Sequence, residues 1–284
     1  MKYYIVDAFT REPFGGNPAG VVLLGQDGLF PPDELMRLVA AELRYSETAF
    51  VRQDAPTEFT VRYFTPAAQV DLCGHATIAA FGVLHREGLV PSGAVCMNHT
   101  LAGDLEVAVG DQVMMQMAKP QVIDKPIDVA RLHRIMGAEA IHPWPELPVD
   151  IISTGLPDII MPVHSVEALN TLRPDMAALT ALSRELDVVG VHAVALTHDG
   201  YTAHVRNFAP LYGVPEESAT GTANAALTHY MHRHGLLGAP GDCRFLQGEA
   251  MGRPSVVATA LGGDGSIGVG GQSRIIAIGD LLVE

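Results

Sequence analysis
The segment Tyr63–Gly88, YFTPAAQVDLCGHATIAAFGVLHREG, returns later in the chain as Asn207–Gly235, NFAPLYGVPEESATGTANAALTHYMHRHG. A shift of 147 positions superposes Gly74 on Gly221, Ala76 on Ala223, Ala79 on Ala226, His85 on His232, Arg86 on Arg233 and Gly88 on Gly235. Just upstream, a shift of 144 aligns Val61–Pro66 with Val205–Pro210, with four of six residues identical. A period near half of the 284 residues points to two similar domains facing each other and not to a solenoid, whose units are far shorter. Each copy reads as a strand end, a loop and a helix that opens at glycine.

The length is sufficient for two domains, each with its own core. With 48% apolar and 18% charged residues the chain is globular, with no disordered or low-complexity segment. A formal charge of −14 argues against nucleic acid and anionic membranes, which recruit basic patches. It leaves room for a small anionic substrate, because a site can be locally positive. MKYYIVDAFTREPFGG meets an acid and paired glycines before any signal-length apolar run, and no stretch approaches the roughly 18–20 apolar residues of a membrane span. Cys73, Cys96 and Cys243 are few, odd in number and far apart, which fits a reduced compartment and neither a zinc cage nor a disulfide framework. The expectation is a soluble cytoplasmic protein.

The chain in order predicts strands at Tyr3–Val6 and Gly20–Leu24, with turn chemistry at Pro13–Pro18 between them. Asp33 is expected to cap a helix carrying Leu35, Leu38, Val39 and Leu43. Strands follow at Ser46–Val51 and Phe59–Phe64, and then a helix from Gly74 that stops at Gly88. Leu105–Val109 and Val113–Met117 form a hairpin, and Ala118–Asp128, with two prolines, reads as the linker between halves. A short helix is expected at Val129–Met136, while Pro143–Pro148 excludes regular structure. Ile159–Val163, Pro174–Leu186, Val191–Thr197 and Tyr201–Phe208 answer the first half element for element. The predicted domains are therefore 1–118 and 119–284, the last strand able to return to the first. The predicted class is α+β, two pseudo-symmetric halves, each a mainly antiparallel sheet with a central apolar helix.

The helix starts at Gly74 and Gly221 offer backbone N–H groups and positive dipole ends, suited to a carboxylate held between the halves. Taken singly, each is an ordinary tight start; the duplication favours function. Cys73 precedes the Gly74–His75 pair, where a dipole stabilises a thiolate, although a small half-buried cysteine is an equal reading. A two-base racemase needs a thiol on each side, and the counterpart of Cys73 is Thr220, whose alcohol is no useful base near neutral pH. Glu47, at a strand mouth between Ser46 and Thr48, is a candidate general base whose pKa a closed apolar cleft would raise. Of Glu216 and Glu217, one is expected to charge the second helix start and one to face a ligand. His229, His232 and His234 are read as structural and not as metal ligands. No glycine-rich nucleotide motif is present.

Taken together, Asp7–Thr10, Gly16–Gly20, Ser46–Glu47–Thr48, Phe64–Thr65–Pro66 with Gly74–His75, Ala219–Ala223, Gln247–Gly248 and Gly252–Ser255 resemble the phenazine biosynthesis-like isomerases of the diaminopimelate epimerase-like superfold. The resemblance spans nearly the whole chain. It implies barrel-like sheets around central helices, a site between the halves, a homodimer, no metal and no organic cofactor. It assigns proton shuttling between carbons of an unsaturated cyclic acid to Glu47, and substrate binding to Gly74, His75, Glu217, Gly221 and Thr222. Glu217 and Thr222 stand where the family usually has Asp and Ser, so the substrate is the open question. Cys73 and Thr220 keep a second reading in view, a single-thiol epimerase or dehydratase. A third is a catalytically silent relative that binds a metabolite or partner.

Overall fold
The computed structural model describes residues 1–24, 28–138, 147–197, 199–237 and 241–283. The chain forms two compact units, Met1–Gln116 with Gly270–Glu284, and Met117–Val269. The first contains β1 (Lys2–Ala8), β2 (Asn17–Leu23), α1 (Asp33–Leu43), β3 (Thr48–Ala55), β4 (Glu58–Phe64), β5 (Gln69–Val70), α2 (Gly74–Arg86), β6 (Ala94–Thr100), β7 (Gly103–Val109) and β8 (Val113–Gln116). The second runs through β9 (Gln121–Ile123), α3 (Val129–Ile135), β10 (Asp150–Ser153), β11 (Pro157–Pro162), α4 (Val166–Thr171), α5 (Met176–Leu186), β12 (Val191–Leu196) and β13 (Ala203–Ala209). It continues with β14 (Val214–Glu217), α6 (Gly221–Arg233), β15 (Asp242–Gln247), β16 (Ser255–Leu261) and β17 (Ile267–Gly271), before β18 (Ser273–Asp280) rejoins the first unit.

The two units use one pairing scheme. In the first, β1 is antiparallel to β2 and β18, β2 is parallel to β3, β3 is antiparallel to β4, and β4 is antiparallel to β5 and parallel to β6. In the second, β10 is antiparallel to β11 and β9, β11 is parallel to β12, β12 is antiparallel to β13, and β13 is antiparallel to β14 and parallel to β15. Each parallel joint falls where a helix is inserted, because a parallel partner can be reached only by a crossover. The mainly antiparallel sheets expected from short turns therefore acquire two parallel joints per unit.

α2 lies against β1, β2, β3, β7, β8 and β18, and every residue from His75 to Leu84 except Gly82 is buried. A helix enclosed all round has no amphipathic stripe, and so the repeat reads apolar throughout. In the second unit, Ala226, Leu227, Tyr230 and Met231 of α6 form one core with Ile152, Ile160, Val194, Val205 and Phe245. α1 covers the outer face of its sheet with Met36, Val39 and Ala40 on Val22, Phe50 and Phe64, while Leu38 faces solvent.

Two local expectations change, and a third falls mostly outside the described residues. Asp33 lies inside α1, whose N-cap is Pro32; its carboxylate binds Arg62 at 2.9 Å instead of capping. The proposed linker contains β9, which pairs with β10, because residues with free ladder groups bond whenever a partner strand is adjacent. Of the irregular Pro143–Pro148 segment, residues 143–146 lie outside the described residues.

Candidate active site
Glu47 emerges where α1 has ended in a left-handed Arg44, φ 62°. Its carbonyl accepts from the Gly20 amide at 3.1 Å, pinning this residue to β2 just before β3 begins. A side chain at Gly20 would run into Thr48 and Leu43, so glycine there permits the close approach. Cys73 is the extended residue before α2, and its carbonyl accepts from both the Thr77 amide, 3.0 Å, and the Thr77 hydroxyl, 2.7 Å. The Tyr63 hydroxyl is 2.7 Å from Thr77 Oγ1 and accepts from Asn98 Nδ2 at 3.0 Å. This buried polar chain holds the helix start from behind. No side chain caps α2, and a Cβ at Gly74 would meet no atom within 4 Å. Packing within the protein therefore does not demand glycine at 74.

Three of the predicted residues converge here. His75 Nε2 lies 3.2 Å from Glu47 Oε2 and 3.3 Å from Ser46 Oγ, while Nδ1 lies 3.4 Å from Cys73 Sγ. His75 and Cys73 are buried, and one-fifth of the Glu47 side chain is exposed. The Glu47–His75 contact is an ion pair by distance but misses hydrogen-bond alignment, since Glu47 Oε2 is buried without an aligned donor. Burial pushes the Glu47 pKa up, but the His75 imidazole, with Ser46 and Cys73, outweighs it and holds the carboxyl below its ordinary range. That reverses the expected upward shift, which assumed an apolar cleft with no cation in it. Burial disfavours a charged His75, yet the Cys73 sulfur and the Glu47 carboxylate hold its proton well above the ordinary value. Burial also raises the Cys73 thiol, with His75 opposing. Glu47 and His75 thus favour each other's charged forms, while burial disfavours ionisation of Cys73.

The start of α6 is built differently. Gln247, fully buried at the end of β15, accepts from the Thr220 amide at 3.1 Å and from Asn224 Nδ2 at 2.9 Å. Its own amide donates to the Glu217 carbonyl, 2.8 Å, and to Thr220 Oγ1, 3.0 Å. Thr220 donates its hydroxyl to Glu217 Oε2 at 2.6 Å, and the Thr222 carbonyl accepts from Thr154 at 2.9 Å. Gly221 opens this helix with no side-chain cap. Glu216 instead forms a two-armed pair with Arg206, both contacts 2.8 Å. Beneath lie Asp158, His192 and Asn207, all buried, with Asn207 Nδ2 at 3.3 Å from Asp158 Oδ1. Burial, offset in part by Asn207 and reinforced by the charge of Glu217, lifts Asp158 to about 7, and burial drops His192 to about 3.

Sequence reading missed Thr77, Asn98, Asn224 and the Asp158–His192–Asn207 group as supports. The signal was present: Thr77 and Asn224 are partners under the shift of 147, and Tyr63 and Asn207 under 144, polar residues at matched places in apolar elements. His234 pairs with Asp150 at 2.7 Å, a structural contact. Among the described residues, Glu47, Cys73 and His75 are the one grouping of three donors able to hold a metal ion. A cavity of about 660 Å³ lies at the other end of α2, lined by Arg11, His85, Arg86 and Arg274, away from Glu47.

A duplicated α+β chain with a paired carboxylate and imidazole at an open helix start has the equipment of a proton-transfer enzyme. The profile of the family described as "Phenazine biosynthesis-like protein" matches residues 6–277, and the chain belongs to that family. It is 34% identical over 243 residues to an uncharacterized isomerase of Bacillus subtilis, YfhB, covering 83% of this chain and 81% of the relative. It is 29% identical over 269 residues to the trans-2,3-dihydro-3-hydroxyanthranilate isomerase of Pseudomonas fluorescens, covering 90% and 88%. The crystal structure of a Bacillus anthracis phenazine biosynthesis protein of the PhzF family matches all of this chain and 99% of its own, with a TM-score of 0.88 and 27% identity. The chain is an isomerase of this family, and no helix among the described residues is long and apolar enough to cross a membrane.

Proposed function
We propose a cofactor-independent isomerase that moves a proton between two carbons of a small cyclic or unsaturated carboxylate. The observation that carries this reading is the Glu47–His75 pair at 3.2 Å beside Gly74, a helix start left open on its outer side. Glu47, anionic in the resting protein, takes a proton from an acidic carbon. The electron pair left behind spreads into the conjugated carboxylate, and Glu47 returns the proton to another carbon. The Gly74 and His75 amides and the imidazolium lie where negative charge gathers, at the positive end of α2. The protonated imidazole also tunes the carboxylate: as charge leaves Glu47, the proton on His75 becomes easier to transfer to the growing enolate. Substrate binding between Glu47 and His75 would weaken their pair and restore basicity to the carboxylate. In the second unit, the amides of Gly221 and Thr222 give the equivalent helix start an anion-binding capacity, with Glu217 beside it. The working form is taken to be a homodimer.

A thermal-shift screen of cyclic and unsaturated acids supplies the substrate, because binding to the folded state raises its melting temperature. Solvent-deuterium incorporation into that acid is then expected to fall about 10²–10⁴-fold in Glu47→Gln. Unchanged incorporation would falsify the reading. The Cys73–His75 contact at 3.4 Å supports a second reading, a single-thiol epimerase or dehydratase. It predicts the opposite ranking, with Cys73→Ser inactive and Glu47→Gln merely weakened. Burial holds Cys73 as a thiol, which favours the carboxylate mechanism.

A further inference from the structure
The repeat closes both central helices with a histidine and an arginine, His85–Arg86 on α2 and His232–Arg233 on α6. The two endings differ in what faces them. Arg233 lies 3.9 Å from the Asp150 carboxylate. Among the described residues Arg86 has no carboxylate in ion-pair reach, and neither has Arg11 or Arg274, whereas Arg37, Arg52, Arg62 and Arg206 are all paired. These three arginines without carboxylate partners line one cavity, the space of about 660 Å³ at the C-terminal end of α2. We propose that this cavity binds a small polyanion of the phosphate type, at the opposite end of α2 from Glu47 and His75.

Every lining residue belongs to the first unit, so the site needs nothing from the second. Gln272 ties its rim together. The Gln272 side-chain oxygen accepts from Arg11 Nε, and its amide donates to the Asp111 carbonyl at 3.0 Å. Its main-chain carbonyl accepts from the Thr10 amide at 3.1 Å. Arg11 thus commits Nε to the scaffold and keeps its two terminal nitrogens for a ligand. His85 Nδ1 donates to the Val90 carbonyl at 2.9 Å, which fixes the ring. A Cβ at Gly82 would strike Ser273 Oγ, so glycine late in α2 admits β18 this closely.

Charge and shape set the ligand class. Among the described residues the lining holds one acid, Asp111, against three arginines, so the cavity is positive on a chain of net charge −14. Guanidinium groups stay protonated and present forked N–H pairs that take phosphate oxygens two at a time. The negative end of α2 opposes an anion, but its last carbonyls are occupied. Val83 accepts from the Glu87 amide, Leu84 from Leu89 and Val90, and His85 from Gly88. Among the described lining residues none is aromatic and Val113 is the one large apolar side chain, so no ring is stacked and no acyl chain is buried. Recognition is therefore of charge. The volume is that of a small-molecule site and not of a lone ion, which points to two or more phosphate groups on one molecule.

Calorimetric titration of pyrophosphate into the full-length protein, in metal-free buffer of low ionic strength, tests the site. One equivalent should bind, and the affinity should fall as salt is raised to about 0.15 M. Arg86→Gln and Arg274→Gln should each weaken binding by about 10–100-fold, the worth of hydrogen bonds to a charged group. Their melting temperatures without the anion should match the wild type, since neither arginine has an ion pair to lose. Arg184→Gln, which alters an exposed arginine of α5, and Glu47→Gln should bind pyrophosphate as the wild type does. Tripolyphosphate and ATP should bind alike; ATP at least tenfold tighter would show that the nucleoside is read and overturn the ligand class. No binding to the wild type, or full binding in either Arg86→Gln or Arg274→Gln, would overturn the site. So would a tenfold loss in Glu47→Gln, which would put the anion among the proton-transfer residues. The outcome does not depend on the isomerase reading: a protein that binds pyrophosphate and exchanges no carboxylate would refute that reading and leave the anion site standing.

Discussion

The starts of α2 and α6 descend from one pattern and now do different things. Behind each lie polar residues at matched positions: Thr77 bonds Tyr63 in the first, whereas in the second Asn224 donates to Gln247 and Asn207 to Asp158. In front, α2 presents a carboxylate, an imidazole and a thiol in mutual contact, whereas α6 presents Thr220 and Glu217 locked by Gln247. The duplication preserved the scaffold and set the carboxylate, imidazole and thiol together in one copy alone. A network whose amide and hydroxyl donors are already engaged is a poor proton carrier. A charged pair short of one hydrogen bond is readily rearranged by a ligand.

The largest expected effect removes the cation from the first start. His75→Gln should lower the rate of deuterium exchange by about 100-fold, mainly in kcat. It should also let the Glu47 carboxyl rise toward or above its ordinary pKa, because only Ser46 and Cys73 then oppose burial. An acid limb of the pH–rate profile that stays in place would break the proposed pairing. The second start should respond in stability. Gln247→Ala deletes the hub of four hydrogen bonds and leaves buried Asn224 Nδ2 with the Thr220 carbonyl alone, an expected loss of about 3 kcal/mol in denaturant unfolding. A loss below about 1 kcal/mol would show that the network is decorative.

The two starts should also differ in how stability depends on pH. Glu47 has a lowered pKa, so its contribution is present above the unfolded carboxyl pKa and is lost as pH falls through the lower folded value. His75 has a raised pKa, so its contribution is present below the unfolded imidazole pKa and is lost as pH rises through the higher folded value. The advantage of the wild type over Glu47→Gln should therefore peak between these limits. Asp158 behaves oppositely to Glu47. With a folded pKa of about 7, its contribution is complete below the unfolded value and is lost as pH rises toward 7. Asp158→Asn should be more stable than wild type at pH 8, by on the order of a few kcal/mol, and similar near pH 4. Unfolding curves at the two pH values decide it. The smallest effect separates the outer helices: Asp175 caps α5 through the Ala177 and Ala178 amides, whereas α1 starts at Pro32 without a side-chain cap. Asp175→Ala should cost about 1 kcal/mol, while Asp33→Ala, which loses only an exposed contact to Arg62, should cost little.

Much of the fold was legible because the repeat carries it. Once Tyr63–Gly88 is seen twice, the order strand, helix, strand, strand, helix follows for each half. Glu47, Gly74 and His75 were legible as motif residues. The expectations that failed concerned partners. Asp33 looks like a cap until Arg62 arrives from β4, 29 positions away. Glu47 looks like a base with a raised pKa until His75 stands 3.2 Å from it.

The sequence by itself determined the duplication, the apolar central helices and the glycines that open them, because periodicity and glycine content act locally along the chain. Only tertiary structure decided which of the two helix starts became charged. The contacts of Glu47 with His75, and of Gln247 with Thr220, span 28 and 27 positions, and no local rule fixes a pairing at that range. The opposite pKa shifts of Glu47 and Asp158 have the same origin. At Glu47 the His75 imidazole outweighs burial, whereas at Asp158 the Asn207 amide offsets it only in part, so the strength of the neighbour decides the sign.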